Sequence, residues 1–373
     1  MSITLKTEEL QKVCSKILSA VDSNGLSEIT ETVELVLKNK DLFLQVTNRE
    51  YFIKIKLSTN IEEDFHATVH AELFLKLISK FTTELITLEI SDKSLIISGN
   101  GKYELPLVYS GNEILKLPEI TIKNVTNSFS ISGSILNSIS IYNSKQLTMG
   151  NIVNPIQSLY YIDQEGAITF TTGACVNKFK LDNDVKLLLN SKLVKLFKLF
   201  KSTNNVEFTI GQDTVSQDIS QTKVKFKTSD IELTAILPMN DNAVSKMPVT
   251  AIRERAFKDY DYTVVINRNE LLQTINRLFI FSASSSSIDR TFGIFEFNSS
   301  SVTIKDINKI NTETVKYSNE INITDTYINV LDFGDIKSIL ESSSDDYINI
   351  SFGDNQAIVC SKDNIYNVIP EIS

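Results

Sequence analysis

Few residues in this chain are spaced for bond-making chemistry. Its only histidines, His66 and His70, stand four apart in "DFHATVHAEL". On a helix that spacing would turn both imidazoles to one face, as a metal site needs. The alternating apolar residues around them instead predict a strand leading into a helix that starts near Ala71, and no third ligand accompanies them. Cys14, Cys175 and Cys360 are far apart, without a CxxC spacing. They read as buried thiols in a reducing compartment, not as a disulfide frame or a zinc site. "SGNGK" at residues 98–102 lacks the earlier glycine of a phosphate loop and is followed by Tyr103, so Asn100-Gly101 is the turn of a hairpin. Acidic runs such as "EED" at 62–64 and "SSDDY" at 343–347 read as solvated loops. No GxSxG, HExxH or dinucleotide fingerprint is present. The inventory predicts a protein that is not an enzyme and has no metal and no cofactor.

The one segment with a strong chemical character is "SKLVKLFKLFKS", residues 191–202. At about 100° per residue, Leu193, Leu196, Phe197 and Phe200 share one side of a helix. Lys192, Lys195, Lys198 and Lys201 spread over the other. Such a helix fits three settings: a core helix with a solvated face, a membrane-surface helix, or a helix that turns its basic side to phosphates. The chain as a whole is acidic, with 37 Lys and Arg against 46 Asp and Glu and a net charge of -9. A polyanion site must therefore be a local patch. "MSITLKTEEL" has no signal-peptide pattern, and no stretch reaches the ~18 apolar residues of a membrane span. These features predict a soluble, cytoplasmic protein.

The segment recurs. A strand followed by an amphipathic helix opens at Ile3, Phe129 and Thr263, and a second such pair follows at Ala67, Val185 and Thr326. After each second helix come alternating strands that close on an apolar residue and a proline. Those prolines, Pro106, Pro238 and Pro370, recur at intervals of 132 residues. Proline is tolerated in sheets mainly at edges and ends, so the spacing marks three copies of one domain. Each copy is made of two strand-helix-hairpin halves, an α+β architecture. "YSGNEILKLPEITIKN" and "MNDNAVSKMPVTAIRERAFKDYD" read as the linkers, which gives domains 1–122, 123–250 and 251–373.

Six helices at equivalent positions share one surface. Their basic residues are Lys12, Lys16, Lys76, Lys80, Lys145, Lys192, Lys195, Lys198, Lys201, Arg268, Arg277 and Lys337. Acidic residues gather at helix starts, where the helix dipole favours them.

This arrangement resembles the bacterial DNA polymerase III beta-subunit family, the replicative sliding clamps. The likeness covers the length, the threefold repeat, the strand-end "LP" and the C-terminal "VIPEI". It implies a head-to-tail homodimeric ring, sheets outside and helices inside, through which double-stranded DNA passes without sequence-specific contacts. The twelve cations above would then face DNA. A local motif supports the likeness: "FTTGACVNKF" stands where the family carries a Thr-Asp-Gly-His-Arg-Leu type segment. Thr171 and Gly173 match, Val176 supplies the apolar residue, and Thr172, Ala174 and Cys175 depart. The resemblance implies a divergent member, such as a phage or mobile element encodes. It also implies a pocket for a short linear peptide of the polymerase and clamp loader, built from Ile156, Thr171, Gly173, Val176, Ile236, Val368, Ile369 and Pro370. By the same likeness the dimer contact sets Ile280 and Phe281 against Phe74 and Phe81. Two other readings use the same residues. A basic-helix membrane-surface or scaffold protein of three repeats would bind anionic liposomes, and a carboxylate enzyme would need Asp or Glu clustered in a cleft.

Overall fold

The computed structural model describes residues 2–21, 27–146, 159–170, 173–216, 219–238, 247–283, 291–353 and 357–370. The first repeat runs β1 (Ser2–Lys6), α1 (Thr7–Leu18), β2 (Thr32–Lys38), β3 (Asp41–Thr47), β4 (Tyr51–Ser58), β5 (Phe65–His70), α2 (Ala71–Ile78), β6 (Leu85–Ser91), β7 (Ser94–Ser98) and β8 (Lys102–Pro106). A small ribbon of β9 (Tyr109–Ser110) and β10 (Glu113–Ile114) follows. The second repeat runs β11 (Val125–Ile131), α3 (Gly133–Gln146), β12 (Leu159–Asp163), β13 (Gly166–Phe170), β14 (Ala174–Lys178), β15 (Lys186–Asn190), α4 (Ser191–Lys195), β16 (Val206–Ser216), β17 (Ile219–Lys227) and β18 (Ile231–Ile236). After α5 (Val249–Ala256), the third runs β19 (Tyr262–Asn267), α6 (Arg268–Ala283), β20 (Phe292–Phe297), β21 (Ser301–Asp306), β22 (Thr312–Lys316), β23 (Tyr327–Asp332), α7 (Phe333–Ser342), β24 (Tyr347–Phe352), β25 (Ala357–Lys362) and β26 (Ile365–Pro370).

Local rules explain these elements. In α1 the buried Leu10, Val13, Cys14 and Ile17 stand at helical spacing, with Glu8 and Glu9 in the first turn. Asn190 caps α4 by accepting from the Leu193 N–H at 2.8 Å, and Asp332 caps α7 by accepting from the Gly334 N–H at 2.7 Å. The histidines lie where the alternation puts them, on β5, directly before α2. Asn100-Gly101 turns the β7–β8 hairpin. Gly99 beside it is needed because a Cβ there would sit 2.5 Å from the Phe81 ring. All three cysteines are buried, and burial pushes the Cys175 and Cys360 thiols up to about 12.

The chain forms two compact units. One comprises residues 1–134 and 199–239, the other 135–198 and 240–373. The first holds a four-stranded sheet, β1-β6-β7-β8, and an eight-stranded one, β11-β16-β17-β18-β4-β3-β2-β5. The second holds an eight-stranded sheet, β15-β12-β13-β14-β26-β25-β24-β19, and a four-stranded one, β22-β21-β20-β23. Named strands pair antiparallel throughout. In the first unit α1 and α2 pack on each other, and in the second α6 and α7 do. Stacked rings mark both cores: Phe208 on Phe226 at 4.4 Å and Phe297 on Phe352 at 4.3 Å.

Four structural details add to these expectations or depart from them. The halves of a repeat are not self-contained, because each opening strand joins the other half's hairpin strands. Thus β1 pairs with β6 and β5 with β2, and the pattern returns as β11 with β16, β15 with β12, β19 with β24 and β23 with β20. The exchange sews the halves together, so neither completes its sheet alone. Secondly, "SKLVKLFKLFKS" is not one α-helix: α4 ends at Lys195 and Leu196–Phe200 continues as a 3-10 turn. The lysine spacing of three suits that tighter winding, in which i and i+3 eclipse. Thirdly, the expected boundary at residues 250/251 falls inside α5. Fourthly, Phe74 and Phe81 are core residues at 0% and 5% exposure, so neither is available for a contact with a second copy.

The end of the connection between the first two repeats is held by a carboxylate. Asp213 accepts from the main-chain N–H groups of Lys123 and Asn124, each at 3.0 Å, and from Lys223 Nζ at 2.8 Å. The Lys223 hydrogen bond, then that of Asn124, holds its pKa below the ordinary 3.8. A lowered carboxylate pKa contributes stability above the unfolded value, and that contribution disappears as pH falls through the folded one. Asp213→Asn is therefore expected to be less stable than the parent at pH 7. The gap should close below about pH 4, as read by urea unfolding across pH.

Candidate nucleic-acid interface

Lys12 and Lys16 on α1, Lys76 on α2, Lys80 just beyond it, and Lys192, Lys195, Lys198 and Lys201 are all exposed. Their charge is not equally available. Lys12 pairs with Glu8 at 2.6 Å and Lys76 with Glu72, each one turn away on its own helix. Residues 191–205 contain no acid, so the α4 row is the densest positive feature of the set. Its apolar partners Leu193, Val194, Leu196, Phe197 and Phe200 are buried to 1% exposure or less. One short segment thus anchors itself by packing and carries four exposed lysines.

The remaining cations divide. Arg268 is committed to main-chain carbonyls: Nε donates to Asp345 O at 2.7 Å and Nη1 to Leu340 O at 2.8 Å, near the end of α7. That is a helix C-terminal cap, which the sequence set apart as a DNA contact. Arg277 makes a two-pronged pair with Glu313 of β22, its Nε donating at 2.8 Å. The pairing holds the Glu313 carboxyl below its ordinary range. Lys337 is half-buried, 5.4 Å from the Phe279 ring centre and 4.0 Å from Glu341. Lys145 falls in the last turn of α3, and its side chain lies outside the described residues.

The peptide-pocket residues are distributed as follows. Ile156 and Thr171 lie outside the described residues. Ile236 ends β18 in the first unit. In the second unit, Gly173 lets the start of β14 approach β26, since a Cβ would stand 2.1 Å from Val368 O. Val176 and Val368 share an apolar cluster with Tyr161, Ile168, Val359 and Met247. Ile369 belongs to the core on the other side of the sheet, as adjacent strand residues must. Pro370 is half-exposed opposite Ala357. Val176 and Ile369 are buried at 0% and 2% exposure, and Val368 at 8%. A narrow cleft of about 10 Å³, roughly one water, does open between Gly173, Ala174, Val368 and Ile369 and the α7 residues Asp335, Ser338 and Ile339. The sequence pointed to the strand side of that cleft but not to α7.

At the proposed dimer contact, Ile280 is 67% and Phe281 51% exposed. Leu73, next to the buried Phe74, is 57% exposed.

Known proteins share parts of this sequence and all of this geometry. Residues 1–118 match the model of the DNA polymerase III beta subunit, N-terminal domain. The beta sliding clamp of Mycoplasmopsis pulmonis is 32% identical over 129 residues, which is 33% of this chain and 32% of that protein. The first repeat is thus similar in sequence to the N-terminal domain of DNA polymerase III beta subunits, and the whole chain has the fold of the solved beta subunits. DNA polymerase III subunit beta from Borrelia burgdorferi, solved with a natural product, superposes with a TM-score of 0.79 at 13% identity over 100% of this chain and 99% of that one. The Helicobacter pylori beta clamp, solved with a DNA ligase peptide, superposes with a TM-score of 0.70 at 15% identity over 100% of both chains. Sequence similarity to the curated relatives spans about a third of their length.

Within this beta-subunit fold, two kinds of cation should separate on mutation. Glu at positions 192, 195, 198 and 201 is expected to leave thermal unfolding nearly unchanged and to lower affinity for duplex DNA at least about tenfold at low salt. Arg268→Ala is expected to do the reverse, costing about 1–3 kcal/mol of stability through unsatisfied carbonyls while sparing DNA affinity.

Proposed function

We propose that the chain is a DNA sliding clamp: two copies close into a ring that encircles duplex DNA and tethers a replicative polymerase. Domains 1–122, 123–250 and 251–373 supply three of the six ring segments. The ring acts in the cytoplasm, carries out no bond chemistry of its own, and meets the polymerase and the clamp loader through a short linear peptide.

One observation carries the proposal. Each repeat has a first strand set, ending in β4, β14 or β22, and a second set, ending in β8, β18 or β26. The first set of the first repeat joins the second set of the next through β4 and β18, and β14 joins β26 in the same way. The rule leaves two edges over, β22 of the third repeat and β8 of the first, each terminal in a four-stranded sheet. β18 and β26 share the burial pattern of a joined strand, whereas the residues of β8 are mostly exposed. An open strand edge is a template for pairing, and a second copy satisfies both edges while repeating the rule that the chain already follows twice. Ile280 and Phe281, together with Ile310 at 78% exposure near the start of β22, supply the apolar surface that such a joint covers.

In this ring the α4 row, Lys16 and Lys80 all face the duplex. Phosphate contacts of this kind carry no sequence information, so weak nonspecific affinity of about 10⁻⁴ to 10⁻⁶ M suffices when escape requires opening the ring. The acidic remainder discourages other DNA contacts.

The joint is tested by mass. The parent is expected at twice 41.9 kDa, and Ile280→Asp at 41.9 kDa with unchanged circular dichroism, because the side chain is exposed in the single chain. A parent that sediments as a monomer, or an Ile280→Asp variant that stays dimeric, contradicts the β8–β22 joint.

A further inference from the structure

The segment that joins the first two repeats lies across the seam between them. Both of its ends are held on one side of the eight-stranded sheet, the side opposite the buried Val33, Leu35, Ile53 and Ile55. Near its start Val108 N–H donates to Thr68 O at 2.8 Å, Thr68 Oγ1 donates to Leu115 O at 2.6 Å, and Leu117 N–H donates to Glu34 Oε2 at 3.1 Å. Glu34 of β2 is buried, and its other carboxyl oxygen lies 2.8 Å from Nε2 of His66 on β5. At the far end Lys223 Nζ of β17 donates to Thr121 O at 2.9 Å and to Asp213 of β16, which accepts from the Lys123 and Asn124 N–H groups. Ile122 passes over Gly211, where a Cβ would stand 2.1 Å from its Cγ2. A glycine inside a strand marks such a close approach.

Between these anchors the chain has to cross the seam. The sheet order sets β3, β4 and β18 between β2 and β17, so the two anchoring strands are about 19 Å apart. Residues 117–121 span about 13 Å when extended, and the Glu34 and Lys223 side chains supply the rest. The segment therefore runs nearly straight. On its line lie Phe52 of β4 and Thr234 of β18, which face each other across the joint. Alternation along the strands puts both on the same side as Glu34 and Lys223, away from the core, yet they are 2% and 1% exposed. Their cover is the crossing segment, whose Pro118, Glu119 and Thr121 are themselves exposed. The first repeat, the segment and residues 199–239 all belong to one compact unit.

We infer that residues 115–124 are a brace that positions the first repeat against the β16–β18 half of the second, with Glu34 and Asp213 as positioning residues on either side of the β4–β18 seam. The seam itself is five residue pairs between two strands. Such a joint can peel pair by pair, and a segment fixed to β2 on one side and to β16 and β17 on the other ties together the strands that peeling would part. Both carboxylates act through the chain that they hold, so releasing either one slackens the whole brace. The inference does not need the clamp reading. Within that reading it gives this arc of the ring one fixed curvature.

Hydrogen exchange on the full chain tests the brace at β4 and β18, with β6 and β7 of the same unit as the reference. Glu34→Ala is expected to speed exchange of the β4 and β18 amides at least about tenfold and to leave β6 and β7 unchanged. Glu34→Gln keeps an oxygen for the Leu117 N–H and is expected to stay within about threefold of the parent. Two glycines inserted between the exposed Pro118 and Glu119 slacken the segment without touching an anchor, and should reproduce the effect of Glu34→Ala. Because both anchors hold one brace, adding Asp213→Asn to Glu34→Ala should speed β4 and β18 by less than the product of the two single effects. If Glu34→Ala and the insertion speed residues 115–124 alone, the segment is a tethered loop and the inference is overturned. If β6 and β7 speed up equally with β4 and β18, Glu34 serves the stability of the whole unit and the brace falls. Should Glu34→Ala not fold, the insertion decides alone, and unchanged exchange at β4 and β18 overturns the inference.

Discussion

Everything in this molecule depends on what a β-sheet does with its edge. A terminal strand carries unpaired main-chain donors and acceptors, and at the joints between repeats this chain pairs them by one repeated device: the first strand set of one repeat is extended by the second set of the next. Two joints, β4 with β18 and β14 with β26, turn four-stranded sheets into eight-stranded ones. The same device accounts for the leftover edges at β8 and β22, and hence for the proposed second copy. Six of the helices follow from the sheets, because exchanging the opening strands between the halves of a repeat leaves each of these helices tied at its N-terminal end to one of them. On the clamp proposal, a DNA-facing surface is then a consequence of where the helices must lie, and their exposed positions need only be basic.

Charge is economical under this arrangement. A chain with a net charge of -9 can still hold a polyanion if its cations are collected on helices while its acids go elsewhere. The α4 segment does this most completely. Burying its leucines and phenylalanines fixes the backbone, and the spacing of three keeps all four lysines on the wet side of an α turn that tightens into a 3-10 turn. Lys12 and Lys76 show the contrasting case, in which an acid one turn earlier neutralises the charge. Such exposed pairs are worth little to stability, but they do dilute the local field.

Much of this was legible in the sequence, for local reasons. Apolar periodicity located six of the seven helices among the described residues, alternation put His66 and His70 on a strand, Asn100-Gly101 marked its hairpin, and three equally spaced prolines disclosed the repeat. What the sequence hid was mostly non-local. Strand exchange between halves changes no local pattern. Phe74 and Leu73 are neighbours of similar character, and only the packing tells that one is core and the other exposed. Arg268 looked like a phosphate contact because nothing in its flanks announces the end of α7, more than 70 residues away. α5 was hidden differently. Pro248 followed by Val249, Ile252 and Ala256 is a readable helix signal, but it stands within a stretch whose charge and prolines resemble a linker. The covering of Val176 and Val368 could not be seen without it.

The central claim is that attachment to DNA is topological and not chemical. Its most direct measurement is retention of the protein on a nicked circular plasmid, loaded by its clamp loader, before and after the circle is cut once. The account predicts stable retention on the circle at moderate salt and rapid loss from the ends once it is linear. Equal retention on circular and linear DNA, or loss from both at the same rate, would contradict it.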